Sequence, residues 1–272
     1  MVAPRTRGYR YIKRIVSKYS NTKLIWCPVN NRHSPYRGVD YSRWSPVIFY
    51  RLFAYRLFPN IEKMLYIDSD TLVQHDLSEL YNTDISNYAL AAVRDMAPLN
   101  LYPDMPDAKI VRAFKEKYQK HGLYINSGVL LMNMQRIRES ESRMTSVDIP
   151  LKYPDQDIIN YVFDGQMLEL PLKYNCIPFM RVDPKFSESE QNMQTDEIVI
   201  GHFYAGKPYV YDLMPRPAFA MYSAAARAVG MYPDQFVADD RRRFAKKYTT
   251  KTVIPFLRIN KNGRARFFGI RL

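Results

Sequence analysis

An apolar run that ends in two acidic residues constrains the fold of this chain more than any other feature. Four apolar residues, Met64 to Ile67, are followed at once by Asp68, Ser69 and Asp70. Such a run is typical of a buried strand in a sheet covered on both faces, and ligand sites in open α/β sheets lie beyond the carboxyl ends of such strands. Asp68 and Asp70 therefore lie where a metal and a phosphorylated ligand are expected. A turn or a helix N-cap would also explain the acidic pair.

Further apolar runs alternate with helical segments along the 272 residues. Strands are predicted at 23–29, 63–67, 88–93, 124–134, 167–170 and 197–203. Helices are predicted at 8–19, 47–57, 108–120, 155–163 and 217–228. This alternation indicates an α/β domain with a mostly parallel central sheet.

The positive charge of the chain is concentrated at its C-terminal end. The net charge is +13, and residues 241–272 hold eleven Lys and Arg and no acid. We therefore expect no specific nucleic-acid partner for the folded domain. Clustered apolar residues between the basic ones favour contact with an anionic membrane surface. The alternatives are a solvated basic tail or non-specific RNA binding.

Other sequence features suggest an intracellular setting. We find no run of eighteen apolar residues and no apolar signal segment, so neither a transmembrane helix nor a signal peptide is predicted. Cys27 and Cys176 are too few for a disulfide framework, and neither has the neighbouring ligands of a zinc site. We predict a cytoplasmic protein that is peripheral at the inner face of the membrane.

A second chemical cluster follows the predicted strand at 197–203. His202 stands at the end of that strand much as Asp70 follows an earlier one, and Lys207 lies in a loop that contains Gly206. Imidazole and carboxylates together suit a divalent ion such as manganese, and a glycine loop with a lysine suits phosphate. A buried structural histidine is the alternative for His202.

Four motifs in a fixed order resemble glycosyltransferase family 8, the family of glycogenin and of bacterial lipopolysaccharide galactosyl- and glucosyltransferases. They are Tyr-Ile-Asp-Ser-Asp-Thr-Leu-Val (66–73), Asn-Ser-Gly-Val-Leu-Leu-Met-Asn (126–133), Asp-Gln-Asp-Ile-Ile-Asn (155–160) and His-Phe-Tyr-Ala-Gly-Lys-Pro-Tyr (202–209). The resemblance covers roughly residues 23–209. It implies a GT-A fold, which is Rossmann-like, and metal-dependent transfer of a sugar from a nucleotide with retention of configuration.

The resemblance also implies roles for individual residues. Asp68 and Asp70 match the metal-binding DxD, and His202 matches the third ligand of an ion that is usually Mn2+. The ion would neutralise the departing UDP. Lys207, with Gly206 beside it, matches the residues at the diphosphate. The substrate-binding residues would further include Arg51, Asp95 and Asn126.

The catalytic positions implied by the resemblance are Asp155 and Gln156. Gln156 lies where an enzymic nucleophile would be needed, but an amide is a poor nucleophile. Front-face attack by the acceptor hydroxyl, assisted by the leaving phosphate, is therefore the expected route. The positive end of the helix dipole would also account for an aspartate at 155 and at 157.

Two departures from the family pattern accompany the resemblance. Ala205 replaces the usual glycine, with Gly206 next, and the family's opening β-α-β unit has no counterpart before Lys23. We predict a GT-A-like domain at 1–235, truncated at its start, and a basic amphipathic tail at 236–272. The predicted reaction moves galactose or glucose from a UDP-sugar to a surface-glycan or lipid-linked acceptor such as lipopolysaccharide. The alternatives are an impaired family member with a binding role and a glycogenin-like glucosyltransferase.

Overall fold

The computed structural model describes the centre of the chain almost continuously. The described residues are 7–25, 27, 39, 45–96, 106–178, 182, 184–204, 216–228, 257–259, 265–267 and 270–271. Within these ranges, no helix has the length and apolar character that crossing a bilayer requires.

Helices and strands alternate through this region. The helices are α1 (Arg7–Val16), α2 (Ala54–Leu57), α3 (Ser78–Asn82), α4 (Pro106–Tyr118), α5 (Met134–Glu139), α6 (Glu141–Thr145), α7 (Pro154–Val162), α8 (Glu188–Gln191) and α9 (Arg216–Ala228), with 3-10 turns at Pro46–Arg51 and Leu172–Tyr174. The strands are β1 (Lys63–Ile67), β2 (Thr71–Val73), β3 (Leu90–Arg94), β4 (Ile125–Asn133), β5 (Met167–Leu170), β6 (Ile200–His202), β7 (Leu257–Ile259), β8 (Ala265–Phe267) and β9 (Ile270–Arg271).

The central four-stranded sheet has the order β1-β4-β3-β5 and is mixed. Only the β3–β5 pair is parallel, while β4 is antiparallel to both β1 and β3. The prediction of a mostly parallel sheet is therefore wrong for the described strands. Apolar runs report that both faces of a sheet are covered, whereas strand direction is set by the connections. The connection through α4 returns the chain to the end of the sheet that β3 has just left, so Asp95 and Tyr124 meet through a 2.9 Å backbone hydrogen bond.

The short β2–β6 ribbon brings distant parts of the sequence together. Thr71 lies opposite His202 in this antiparallel pair, and the Phe203 amide donates to the Asp70 carbonyl at 2.9 Å. Cys176 forms an isolated parallel bridge to Gly201 on the other edge of β6. One ribbon thus places residue 70, residue 202 and the 174–177 segment side by side.

Apolar side chains cover both faces of the central sheet. Residues 125–132 of β4 are all buried, and α7 packs across that strand with Ile158 and Ile159 in the core. Leu131 and Val129 contribute to a second cluster on the other face. β4 is therefore held by packing on both faces and by hydrogen bonds on both edges.

Most predicted elements are confirmed, and three differ. Residues 23–25 and 27 are in no strand, and Ile25 is 55% exposed, so the strand predicted there is not formed by these described residues. The helix predicted at 47–57 is divided into the 3-10 turn and α2, although Ser45 does cap its start by accepting from the Val47 amide. The described part of the tail forms a three-stranded antiparallel sheet, β7-β8-β9. The domain boundary at 235 stays a prediction.

Candidate active site

Asp68 and Asp70 lie in the tight turn that joins β1 to β2. The Asp68 amide donates to the Gly128 carbonyl of β4 at 2.8 Å, and the Thr71 hydroxyl donates to the Asp68 carbonyl at 2.8 Å. These bonds fix the turn at the end of the sheet, with both carboxylates partly exposed. The site predicted from the sequence therefore lies at the carboxyl end of β1.

His202 completes a compact set of three potential ligands. Its Nε2 atom lies 3.3 Å from an Asp70 carboxylate oxygen and 3.9 Å from one of Asp68. One ligand atom from each of the three residues lies within 4.8 Å of the other two. His202 is 2% exposed, and Nε2 has no hydrogen-bond partner among the described residues. A buried nitrogen without a partner is costly, and coordination of a cation would remove that cost.

This donor set fits the implied metal. Two carboxylates and one imidazole suit divalent ions of borderline hardness, among them Mn2+. The Tyr204 and His202 rings pack in an edge-to-face arrangement, with their centroids 4.8 Å apart. The imidazole is thus enclosed on one side while Nε2 faces the two carboxylates.

Arg51 is a buried cation beside the acidic pair. Its side chain is 7% exposed and pairs with Asp68 at 2.9 Å and with Asp155 at 3.1 Å. It also donates to the Ser127 carbonyl at 2.6 Å and lies over the Tyr66 ring, 4.5 Å from its centroid. Burial alone would lower the pKa of Arg51, but the charges of Asp155 and Asp68 outweigh it and raise the pKa. Arg51 therefore stays protonated and links the two carboxylates.

Asp155 is a buried acid of the site. Burial raises the pKa of its carboxyl, the nearby Arg51 opposes this rise, and the charge of Asp68 adds to it. The Ser127 hydroxyl donates to the same carboxyl at 3.2 Å. The neighbouring Asp157 makes different contacts. Its carboxylate accepts hydrogen bonds from the Tyr124 hydroxyl at 2.7 Å and from the backbone amides of the two residues before α7. Of the two aspartates, 157 has the structural role and 155 faces the site.

Asp95, Asn126 and Gln156 form a polar group beside the three potential ligands. One Asp95 carboxylate oxygen accepts from Gln156 Nε2 at 2.8 Å and from Asn126 Nδ2 at 3.1 Å. Gln156 Oε1 accepts from the Ser127 amide at 3.0 Å, which fixes the direction of that side-chain amide. The structure thus brings together eight of the ten residues predicted for the site. The other two, Gly206 and Lys207, lie outside the described residues, and the chemical roles of all ten stay predictions.

Sequence reasoning missed three residues of this site. Asn175 bonds His202, Ser127 contacts both Arg51 and Asp155, and Gly128 leaves room for the imidazole. A Cβ on Gly128 would lie 2.1 Å from His202 Cε1. Ser127 and Gly128 belong to the family motif at 126–133. Asn175 has a weaker signal, one amide residue within the otherwise apolar Tyr174-Asn175-Cys176-Ile177.

Two curated relatives illustrate the similarity of the sequence to known proteins. A lipopolysaccharide 1,2-glucosyltransferase of Escherichia coli K12 is 29% identical over 177 residues, which are 61% of this chain and 50% of that protein. A putative glycosyltransferase of Haemophilus influenzae is 33% identical over 177 residues, with the same coverage of 61% and 50%. The chain therefore spans about half the length of these relatives.

Solved structures and a family profile give the fold and the family. A bifunctional glycosyltransferase, WbbM, matches 86% of this chain and 43% of its own with a TM-score of 0.66 and 21% identity. The galactosyltransferase LgtC, in complex with donor and acceptor sugar analogues, matches 73% of this chain and 72% of its own with a TM-score of 0.51 and 23% identity. The fold is that of the GT-A glycosyltransferases. The profile of glycosyl transferase family 8 matches residues 8–211, and the chain belongs to this family.

Proposed function

We propose that this protein is a metal-dependent, retaining glycosyltransferase that moves galactose or glucose from a UDP-sugar to a surface-glycan acceptor such as lipopolysaccharide. The observation that carries the proposal is the convergence of Asp68, Asp70 and the unpartnered Nε2 of His202. The similarity to the lipopolysaccharide glucosyltransferase supports the class of acceptor. The family and the GT-A fold support a nucleotide-sugar donor.

The charge balance of the site supports metal dependence. Asp68 and Asp155 both pair with Arg51, while Asp70 lies beside His202 and Asp95 beside Gln156. Four carboxylates of the site thus share one arginine among the described residues. A diphosphate would be repelled by this surface unless a cation were added. Asp68, Asp70 and His202 would hold that cation, which supplies Lewis-acid stabilisation of the departing UDP.

Hydrogen bonding around Asp155 and Gln156 supports front-face attack. Both polar atoms of the Gln156 amide are used, one by the Ser127 amide and one by Asp95. The Asp155 carboxyl is paired with Arg51. Neither side chain is placed as an independent nucleophile, so the acceptor hydroxyl would attack on the face from which UDP leaves. The part of these residues is to hold the sugar and to balance charge.

Binding of UDP in the presence of Mn2+ tests the proposal directly. Calorimetry is expected to show UDP binding that needs Mn2+, and Asp70→Asn is expected to abolish metal-dependent hydrolysis of UDP-galactose and UDP-glucose. Asp196→Asn, at an exposed aspartate, is the matched control and is expected to keep both. Absence of UDP binding by the unaltered protein would favour the alternative of an impaired family member, which does not catalyse the transfer and binds something other than UDP. Full activity of Asp70→Asn would remove Asp70 from the metal site.

The basic tail supports a peripheral membrane location on the cytoplasmic side. Residues 241–272 combine eleven basic residues with apolar clusters, which suits the surface of an anionic bilayer. Co-sedimentation with anionic vesicles is expected to be lost on deletion of 241–272 and weakened by high salt. Equal binding with and without these residues would refute this location.

A further inference from the structure

A chain of side-chain amides joins the imidazole of His202 to the carboxylate of Asp95. His202 Nδ1 lies 2.8 Å from Asn175 Oδ1, and Asn175 Nδ2 lies 2.9 Å from Asn126 Oδ1. Asn126 Nδ2 lies 3.1 Å from Asp95. His202, Asn175 and Asn126 are all buried. Each amide in the chain uses both its donor end and its acceptor end.

The donor-to-acceptor direction of these side-chain hydrogen bonds is set by a backbone N–H group, which can only donate. The Gly128 amide lies 2.9 Å from the Asn126 side chain, so the atom that faces it must be the oxygen. Because Asn126 Oδ1 is an acceptor, the atom of Asn175 that faces it must be the amide nitrogen. Asn175 then turns its oxygen towards His202, and His202 Nδ1 must carry the proton.

The other end of the chain agrees with this direction. If Asn126 Oδ1 accepts from Gly128, the Asn126 amide nitrogen points at Asp95, and a carboxylate oxygen accepts from it. Reversal of the Asn126 amide would create mismatches at Gly128, Asn175 and Asp95, and reversal of Asn175 alone would set its oxygen against that of Asn126. In a buried network each mismatch leaves polar groups unpaired at a high cost, so one direction is strongly favoured.

We propose that Asn175 is a positioning residue that holds His202 in the Nδ1–H tautomer, with the lone pair of Nε2 directed at Asp68 and Asp70. An imidazole can ligate a cation only through an unprotonated nitrogen, and the partner of its other nitrogen selects which one that is. The inference rests on the proposed metal site for its consequence, which is metal affinity. The tautomer itself is a property of the metal-free protein.

Gly128 contributes twice to this arrangement. Its backbone amide sets the direction of the chain, and its missing side chain admits the imidazole, since a Cβ there would lie 2.6 Å from His202 Nδ1. The Asn126 side chain bonds both Asn175 and Asp95. The network therefore joins the proposed metal side of the site to the side proposed to hold the sugar.

The tautomer is measured by long-range 15N–1H correlation spectra of the metal-free protein at about pH 8, where an ordinary imidazole is neutral. The chain has four histidines, and loss of one set of signals in His202→Ala assigns His202. The expected result is the Nδ1–H pattern for His202 in the unaltered protein. An Nε2–H pattern would overturn the inference, whatever the protein does with metal.

Variants at position 175 separate positioning from a merely structural role. Asn175→Ala is expected to lose the single tautomer and to weaken Mn2+ binding by about 10–100-fold, the range seen when partners of metal-bound histidines are removed. Asn175→Asp loses the donor to Asn126 Oδ1 but keeps an acceptor for Nδ1–H. It is therefore expected to keep the tautomer and to bind Mn2+ more tightly than Asn175→Ala. Asn192→Ala is the control, since this exposed amide donates to the backbone oxygen of Glu188.

Outcomes for the tautomer and the metal are distinct. An unchanged tautomer with unchanged Mn2+ affinity in a folded Asn175→Ala would overturn the inference. If that variant does not fold by circular dichroism, the spectra of the unaltered protein and of Asn175→Asp decide. An Nδ1–H tautomer in a protein that binds no Mn2+ would support the positioning of His202 and refute the proposed metal dependence.

Discussion

Replacing Arg51 by methionine is expected to destabilise the protein strongly, because it leaves two carboxylates without their shared cation. Arg51 is 7% exposed and lies 2.9 Å from Asp68 and 3.1 Å from Asp155. Removal of one partner from a buried ion pair costs roughly 3–5 kcal/mol. For a domain of this size that loss lowers the melting temperature by roughly 6–20 °C.

The matched control is an arginine that makes an equally short ion pair at the surface. Arg94 contacts Glu169 through two nitrogens at 2.7 Å, but the Glu169 side chain is 40% exposed. Solvent screening reduces such pairs to about 0.2–1 kcal/mol. Arg94→Met is therefore expected to cost several-fold less than Arg51→Met, although the geometry of its ion pair is at least as good.

The loss of folding stability in Arg51→Met is expected to depend on pH. Burial raises the pKa of Asp155, and Arg51 opposes that rise. A carboxyl with a raised pKa binds its proton more tightly in the folded state, so its contribution to stability falls as pH rises from about 4 through the folded pKa. Without Arg51 the folded pKa rises further, and the cost of Arg51→Met is expected to be larger at about pH 7 than at about pH 5.

Urea unfolding at about pH 5 and about pH 7 measures the free energy of unfolding of each variant. A double-mutant cycle with Asp155→Asn measures how much of the loss in Arg51→Met comes from the interaction between Arg51 and Asp155. Asp155→Asn is expected to recover part of the loss in the Arg51→Met background, with a coupling on the order of 1–3 kcal/mol. The reasoning is refuted if Arg51→Met costs no more than Arg94→Met, or if its cost is the same at both pH values and Asp155→Asn recovers nothing.

Three further predictions concern buried groups near or behind the site. Gly128→Ala is expected to cost about 1–3 kcal/mol in urea unfolding and to weaken Mn2+ binding, because its Cβ would overlap the buried imidazole of His202; wild-type stability would contradict this. Burial raises the pKa of Cys176 to about 12, so its thiol is expected to resist alkylation at neutral pH until the protein unfolds. Asp157→Ala is expected to cost about 1–3 kcal/mol by leaving buried donors such as the Tyr124 hydroxyl unpaired, while Mn2+ affinity by calorimetry stays unchanged.

Local sequence signals predicted the positions of most strands and helices, because those positions depend on nearby residues. Ser45 and Pro46 marked a helix start that the structure confirms, and the apolar runs at 63–67 and 167–170 are strands at those residues. The direction of β4 was not predictable from its own residues. A strand buried on both faces has the same composition whether its neighbours run parallel or antiparallel.

The residues of the site were predictable to the extent that they follow strand ends or belong to ordered motifs. Asp68, Asp70 and His202 carry such a signal, and the structure brings them together. Asn175 carries almost none, because it lies in an irregular segment and reaches His202 only through the pairing of Cys176 with Gly201. Its importance comes from tertiary structure, which a local pattern does not report.

Three consecutive residues near the site-facing end of β4, Asn126 to Gly128, contact several parts of the site. Asn126 contacts the Asp95 side and Asn175, Ser127 contacts Arg51 and Gln156, and Gly128 contacts Asp68 through its carbonyl. β4 lies between two strands and is buried on both faces, so these residues have little freedom to move separately. Asp68 on the proposed metal side and Asp95 and Gln156 on the proposed sugar side are therefore held by one strand. A substitution there should change metal binding and donor binding together, whereas a change in a single ligand should affect its own side first.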